Sequence, residues 1–179
     1  MFSPKMLKLG KVRSVIREIF EYGRKRAAEI GAENVFDFSL GNPSIPAPPE
    51  VNLAIKELLE KENSVALHGY TSAPGDPAVR KAVADSIAKR FGVPVTPDYI
   101  YMTAGAAASL CVTLKALTLP GDEVIVFAPF FTEYRVFAES AGAKVKVSMP
   151  GEGLQIDVDN FKSLITPSTK AVIVNSPNN

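Results

Sequence analysis

The segment from Thr103 to Ser109 reads Thr-Ala-Gly-Ala-Ala-Ala-Ser and lies where an apolar run changes into a helical pattern. Small side chains leave the first amides of a helix accessible, and these amides, together with the positive end of the helix dipole, can bind a phosphate. The segment lacks the Gly-Lys-Ser/Thr of an ATP-type P-loop and the glycine spacing of a dinucleotide fingerprint. On this segment alone, close packing of a helix on a sheet is the simpler interpretation.

Two further segments carry side chains suited to a planar ligand. Phe130 and Phe131 follow a buried-type strand, at the sheet edge where open α/β sheets bind ligands, and one ring is placed to stack on a flat cofactor. Residues 175–179, Asn-Ser-Pro-Asn-Asn, also follow a strand, and their amides can donate to a phenolate-like oxygen. Core packing of the rings and an ordinary turn are the alternatives.

The segments named above must be positioned by strands and helices, which the sequence shows as short apolar runs that alternate with helical patterns. From Tyr99 onward this rhythm is typical of βαβ units and a mainly parallel sheet. Periodicity and turn residues predict strands over 99–103, 123–127, 144–148 and 170–175, with helices over 106–117, 131–141 and 157–165 between them.

The first part of the chain reads as helical. Hydrophobic periodicity predicts helices over 11–30 and 50–61 and a third that begins after Asp76, its N-cap, and ends at Gly92. The residues of this third helix expected to face inward are Val79, Ala82, Val83 and Ile87. The composition of residues 68–75, between the last two helices, predicts an ordered loop.

Composition excludes several classes of function. The chain has 179 residues, 20 Lys and Arg against 19 Asp and Glu, and a net charge of +1, so we expect neither nucleic acid nor a membrane surface as a partner. No apolar stretch is long enough for a membrane span or a secretory signal. The single cysteine, Cys111, lies in an apolar helical stretch and predicts a buried, reduced thiol. A cytoplasmic protein is expected.

The ordered set of motifs resembles that of fold-type I pyridoxal-phosphate (PLP) dependent aminotransferases of class I/II, the aspartate aminotransferase type. The three segments above occur in the order found in that family. Residues 38–43, Phe-Ser-Leu-Gly-Asn-Pro, resemble its early Gly-Asn-Pro segment, and residues 68–80 resemble its Tyr-Thr…Gly…Leu-Arg segment. Residues 120–124, Pro-Gly-Asp-Glu-Val, are also similar, and the resemblance extends over the chain from about Val12.

The resemblance implies an α/β fold. The chain is expected to be the N-terminal part of the PLP-dependent transferase fold, three-layer αβα with a mainly parallel sheet, truncated. Residues 1–45 would form the N-terminal helix and arm belonging to the small domain. Residues 46–179 would form the first, incomplete part of the large PLP-binding domain.

Roles for single residues also follow from the resemblance. It implies that pyridoxal 5'-phosphate is the cofactor, with its phosphate held by backbone amides around Gly105, Ala106 and Ala107. Phe131 would stack on the pyridine ring, and Asn179 would donate a hydrogen bond to the 3-oxygen of that ring. No metal ligands belong to this site.

Two more roles concern the substrate and the partner subunit. The resemblance implies a homodimer in which Tyr70 reaches the cofactor phosphate of the neighbouring subunit. Gly41 would approach the substrate carboxylate through its backbone N–H, which the missing side chain makes sterically reasonable. We interpret His68 as a structural or interface neighbour of Tyr70 and not as a catalytic base.

The lysine and the acid that such an enzyme requires are not identifiable in residues 1–179. PLP enzymes hold the cofactor on a Schiff-base lysine and pair its pyridine nitrogen with an acid. We therefore expect a fragment that is inactive alone, of a parent that transfers an amino group between an amino acid, aspartate-like or of broad range, and a 2-oxo acid. The alternatives are another fold-type I enzyme, such as a carbon–sulfur lyase, decarboxylase or synthase, and a non-catalytic aminotransferase-like module or fragment.

Overall fold

The computed structural model describes residues 3–11, 15–41 and 45–178, and the chain divides into two compact units, Met1–Gly69 and Tyr70–Asn179. The described part of the first unit is helical. Its elements are α1 (Pro4–Lys11), α2 (Val15–Ile30), a 3-10 turn (Ala32–Asn34), α3 (Pro49–Lys61) and α4 (Ser64–His68). The helix predicted over 50–61 is confirmed. No helix among the described residues is long and apolar enough to span a bilayer.

The helix α4 is not predicted by the sequence pattern. It begins at Ser64 because the side chain of Asn63 accepts hydrogen bonds from the amides of Val65 at 2.9 Å and Ala66 at 3.3 Å. Such a cap satisfies two of the amides that a helix start leaves without partners. A five-residue helix offers too little periodicity to be recognised from its apolar spacing, so its cap was the available signal.

The second unit alternates helices and strands. Its elements are α5 (Pro77–Phe91), a 3-10 turn (Pro97–Tyr99), α6 (Ala106–Leu117), β1 (Glu123–Phe127), α7 (Glu133–Ser140), β2 (Lys144–Ser148), a 3-10 turn (Glu152–Leu154), α8 (Val158–Leu164) and β3 (Thr169–Ile173). Three predicted strands and all three predicted intervening helices are therefore present, with ends that differ by two residues at most.

The start and the end of α5 follow the predicted signals. The carboxylate of Asp76 accepts hydrogen bonds from the amides of Ala78 and Val79, at 2.8 and 3.1 Å, and Gly92 ends the helix in the left-handed conformation, at φ 66°. Its predicted inward face is confirmed in part. Val83 and Ile87 are half-buried, whereas Val79, which is 46% exposed, and Ala82 face solvent. The fully buried residue of the helix is Ala84, so the packed face is rotated slightly from the one that the apolar residues suggested.

Within the described residues, the sheet has three parallel strands in the order β2-β1-β3. Val124, Ile125 and Val126 of the central strand β1 are fully buried. Val124 clusters with Leu114 of α6 and with α7, whereas Phe127 packs its ring 5.3 Å from that of Phe161 in α8. Successive side chains of a strand point to opposite faces, so helices cover both faces of β1. The predicted α/β, αβα architecture is confirmed.

The strand predicted over 99–103 is wrong. Tyr99 ends a 3-10 turn, and no strand of the described chain pairs with the residues after it. Two other groups bind this backbone: the N–H of Met102 donates to the carbonyl of Pro74 at 2.9 Å, and Nε of Arg80 donates to the carbonyl of Ile100 at 3.0 Å. A strand exists only with a ladder partner, and periodicity cannot report whether one is present.

A charged network holds the amino ends of the strands together. The carboxylate of Glu123 accepts hydrogen bonds from the hydroxyl of Thr166 and from Nζ of Lys146, the latter at 2.9 Å. The pKa of Glu123 is lowered below its ordinary value. Hydrogen bonds from Thr166 and Lys146 are the largest causes, and the nearby positive charges have a smaller effect. Because this edge lies opposite the carboxyl ends of the strands, the network stabilises the sheet at a distance from the candidate site.

This lowered pKa predicts an acid-dependent loss of stability. A carboxyl group whose pKa is depressed by folding stabilises the protein above its unfolded pKa of about 4.5, and this contribution disappears as pH falls through the folded pKa. We expect Glu123→Gln to lose stability relative to the native protein at pH 7, and the difference to shrink steadily below pH ~4.5. Urea unfolding of both proteins between pH 7 and 3 measures it; a difference that grows on acidification contradicts the prediction.

Candidate functional site

The N-terminus of α6 presents backbone amides without partners. In the part of the chain that the structure describes, the amides of Ala106, Ala107 and Ala108 have no acceptor, and no side chain caps the helix. Ala106 and Ala107 are exposed. A 12-residue helix adds the positive end of its dipole at this point. These amides form an open cup where the sequence predicts an anion site, and we call it the α6 cup (residues 105–108).

Gly105 occupies a backbone conformation reserved for glycine. Its φ of 84° and ψ of 169° lie in a region that residues with a Cβ almost never adopt. A Cβ placed on Gly105 would meet no atom within 4 Å, so conformation and not crowding demands the glycine. The same open space leaves the amides of the α6 cup free to be approached by an anion.

Two hydroxyl groups brace the α6 cup from within. The hydroxyl of Thr103 lies 3.1 Å from the carbonyl oxygen of Gly105 and is also hydrogen-bonded to the hydroxyl of Ser109. When Thr103 donates to the Gly105 carbonyl, Ser109 donates to Thr103, so both hydroxyl hydrogens are used inside the cup. Sequence reasoning missed this pair, although the hydroxyl residues that flank the small-residue segment were its signal. The backbone amides are left as the donors to a ligand.

Arg80 holds the segment that leads into the α6 cup. Its side chain is only 14% exposed and donates to the carbonyl of Pro97 through Nη2 at 2.6 Å and to that of Ile100 through Nε at 3.0 Å. The Asp98 carboxylate, 3.6 Å away and 94% exposed, adds little because water screens it. Arg80 precedes the buried Ala84 by one helical turn and so lies on the same face of α5. A cation on a buried helical face was the sequence signal that Arg80 holds a neighbouring segment.

Gly75 fixes the other side of the same segment. It is buried, with φ +102°, and a Cβ on it would lie 2.5 Å from Cγ and 2.7 Å from Cβ of Met102. Its N–H donates to the carbonyl of Ser72 at 2.8 Å. Since Met102 is three residues before Gly105, this contact sets where the chain enters the α6 cup. From the sequence, Gly75 was expected to lie in an ordered loop and in the family-like segment 68–80, and its contact with Met102 was not predicted.

Phe131 lies between the carboxyl end of β1 and the start of α7. The helix begins at Glu133, two residues later than predicted, so Phe131 belongs to the connecting segment. Its side chain is 38% exposed, and its ring meets that of Tyr134 edge to face at 5.6 Å and 84°. The tyrosine contact orients the ring while part of its surface stays accessible, which suits stacking on a planar group.

The segment after β3 is bound to the segment after β1. Nδ2 of Asn178 donates to the carbonyl of Pro129 at 2.7 Å, which brings residues 175–178 to the same edge of the sheet as Phe131. Asn179 itself lies outside the described residues. Its predicted contact with the 3-oxygen of the cofactor ring therefore stays a prediction.

Tyr70 and Gly41, the two other residues with predicted roles, are accessible. Tyr70 has a fully exposed side chain at the start of the second unit, and His68 ends α4 in the first. Gly41 also belongs to the first unit, where a Cβ placed on it would meet no atom within 4 Å. Exposure is compatible with the predicted roles of Tyr70 and Gly41, which remain predictions.

Comparison with known proteins supplies the family. The model of the family described as aminotransferase class I and II matches residues 33–179. The chain belongs to the class I and II aminotransferases. The resemblance inferred from its motifs is confirmed. The crystal structure of an amino transferase from Eubacterium rectale superposes with a TM-score of 0.94 at 52% identity, over 100% of this chain and 46% of that one.

Curated relatives of this aminotransferase chain are longer than it is. It is 34% identical over 141 residues to the aspartate/prephenate aminotransferase of Thermus thermophilus, covering 78% of this chain and 36% of the relative. It is 34% identical over 150 residues to the aspartate aminotransferase of Thermotoga maritima, covering 82% of this chain and 38% of the relative. The chain thus spans less than half the length of the relatives it matches.

The family is PLP-dependent, and the α6 cup fits the phosphate of that cofactor. Unpaired amides at a helix start match the acceptor oxygens of a phosphate ester, and Gly105 leaves their approach free of a side chain. The half-exposed ring of Phe131 matches a flat heteroaromatic ring. The donor set and the ring at the carboxyl edge of the sheet therefore agree with the cofactor that the family uses.

Proposed function

We propose that this chain forms part of an enzyme that transfers an amino group between an amino acid and a 2-oxo acid, with an aspartate-like or broad substrate range. The observation that carries the proposal is the α6 cup, a set of exposed amides without acceptors in a chain of the class I and II aminotransferase family. The names of the relatives in Thermus thermophilus and Thermotoga maritima support the aspartate-like range.

The chain's own residues bind and orient the cofactor and the substrate. The amides of Ala106 and Ala107 donate to the cofactor phosphate, and Phe131 supports one face of the ring. Asn179 donates to the ring 3-oxygen, and the N–H of Gly41 donates to the substrate carboxylate. When bound, pyridoxal phosphate supplies an electron sink and a carrier for the amino group.

No lysine of residues 1–179 is assigned the catalytic role. The segment from Thr103 to Ser109 contains none, and Lys146 is bound to Glu123 at the opposite edge of the sheet, 2.9 Å away. Lys81 is paired with Asp85 on the surface of α5. We therefore propose that the lysine comes from sequence outside residues 1–179 and that the 179-residue polypeptide alone does not transaminate.

The enzyme is also proposed to be a cytoplasmic homodimer. Tyr70 would reach the cofactor phosphate of the neighbouring subunit, and its fully exposed side chain supports this role. A phenolic hydroxyl at that position would add one donor to those of the α6 cup.

An amino-transfer assay tests the proposal. The complete product of the gene that encodes residues 1–179 is incubated with pyridoxal phosphate, a panel of amino acids that includes aspartate, and 2-oxoglutarate, and the new amino acid and oxo acid are quantified. We expect both products in equal amounts, and none from the 179-residue polypeptide. Consumption of the donor without amination of the acceptor would instead indicate another PLP reaction. Activity of the 179-residue polypeptide would refute the proposal that the catalytic lysine lies outside residues 1–179.

A further inference from the structure

The peptide unit that joins Gly105 to Ala106 is held in one orientation by hydrogen bonds to its carbonyl oxygen. That oxygen, which belongs to Gly105, accepts from the hydroxyl of Thr103 at 3.1 Å and from the N–H of Ser109 at 3.3 Å. A trans peptide is planar, so its carbonyl and its N–H point in opposite directions. Because the carbonyl is directed at Thr103 and Ser109, the N–H of Ala106 points away from them and into the α6 cup.

Glycine gives this peptide unit a freedom that hydrogen bonds must restrict. A residue without a Cβ opposes rotation of the peptide unit that follows it less than any other residue does, and Gly105 has no atom within 4 Å of the place that a Cβ would take. The two bonds to the Gly105 carbonyl are each slightly longer than is usual for their type. The two donors therefore act together, and the loss of one is expected to loosen the peptide unit.

The two possible orientations of this peptide unit have opposite effects on an anion. An N–H that points at a phosphate oxygen forms a charge-assisted hydrogen bond. A carbonyl oxygen in the same place carries a negative partial charge and repels the phosphate. Rotation of the peptide unit would thus remove the Ala106 donor and place the oxygen of Gly105 in the α6 cup.

The hydroxyl of Ser109 sets the direction of the Thr103 proton. Thr103 has one hydroxyl proton, and its oxygen is hydrogen-bonded to the hydroxyl of Ser109 as well as to the Gly105 carbonyl. A carbonyl oxygen can only accept, so the Thr103 proton is used there and Ser109 donates to Thr103. Both side chains are half-buried, and within the described chain Ser109 bonds through its hydroxyl to Thr103 alone.

We propose that Thr103 and Ser109 are positioning residues for the cofactor phosphate. They hold the peptide unit between Gly105 and Ala106 with its N–H toward the phosphate and its carbonyl oxygen away from it. Both hydroxyls act through the backbone and not on the ligand. This inference rests on the proposed role of the α6 cup as the site of that phosphate.

Calorimetric titration of the complete gene product with pyridoxal phosphate tests the proposal. Thr103→Val keeps the shape of the side chain without its hydroxyl and is expected to weaken binding ~10-fold, because the Ala106 donor is no longer held in place. Ser109→Ala, which leaves the Thr103 proton less well directed, is expected to weaken it ~3-fold. Thr103→Ser keeps the hydroxyl and is expected to bind within ~2-fold of the native affinity.

Thr118→Val is the matched control. The hydroxyl of Thr118 donates to the carbonyl of Leu114 at 2.8 Å, at the opposite end of α6. The same substitution therefore removes a hydroxyl-to-carbonyl bond of the same helix without touching the α6 cup. We expect unchanged affinity for pyridoxal phosphate in this variant, whatever stability it loses. Phosphorus NMR of the bound cofactor should show a shifted signal in Thr103→Val and the native signal in Thr103→Ser and Thr118→Val.

The outcomes separate this inference from the assignment of the α6 cup. Native affinity in Thr103→Val, equal losses in Thr103→Val and Thr118→Val, or no recovery in Thr103→Ser would each overturn the positioning role. If Gly105→Val weakens binding and Thr103→Val does not, the cup stands and the positioning role falls. If neither of these two variants weakens binding, both the cup and the positioning role fall.

Discussion

Replacing Gly105 with valine is expected to weaken pyridoxal phosphate binding by about 100-fold or more. Valine cannot hold φ 84° and ψ 169°, so the chain at the helix start must move, and the amides of Ala106 and Ala107 turn away from the phosphate. Loss of two hydrogen bonds to a charged group, each contributing about 1.5–3 kcal/mol, accounts for a change of this size. Calorimetric titration of the complete gene product with pyridoxal phosphate measures it.

A control for Gly105→Val is Gly121→Val. Gly121 also has a positive φ, +98°, and a Cβ on it would also meet no atom within 4 Å, but it lies before β1 at the opposite edge of the sheet. Both variants therefore strain the backbone, and only one disturbs the α6 cup. Similar thermal stability of the two with unequal affinity supports the cup. Equal loss of affinity, or unchanged affinity in Gly105→Val, contradicts it.

Replacing Gly75 with alanine is expected to lower the free energy of unfolding by about 4 kcal/mol, the sum of ~1–3 kcal/mol for overpacking and ~1–3 kcal/mol for backbone strain. The new Cβ would lie 2.5 Å from Cγ and 2.7 Å from Cβ of Met102, and the latter atom cannot move without its backbone. The positive φ of +102° adds the strain. Urea unfolding with a constant m-value measures the change.

Gly92→Ala separates crowding from strain. Gly92 also has a positive φ, +66°, but a Cβ on it would meet no atom within 4 Å. We expect this variant to lose only about 1 kcal/mol, the cost of a left-handed alanine. A second variant, Gly75→Ala combined with Met102→Gly, should recover the crowding part of the loss. Equal destabilisation by Gly75→Ala and Gly92→Ala would show that the contact with Met102 is not tight.

Local signals in the sequence were sufficient for most elements of the second unit. The N-cap Asp76, the stop at Gly92, and the runs that became β1, β2 and β3 are recognisable because capping and apolar periodicity act between residues close in the chain. The small-residue segment at the start of α6 is also a local signal of this kind. A helix with small residues and no cap at its first turn exposes its amides wherever it packs.

What the sequence by itself determined is therefore the family, the helix α3, and most helices and strands of the second unit. Tertiary structure decided the rest, because it depends on partners distant in the chain. Residues 99–103 have strand-like composition, yet they form no strand without a neighbour to pair with. Arg80 reaches Pro97 and Ile100, seventeen and twenty residues further along the chain. Hydrophobic periodicity carries no information on which element lies beside another.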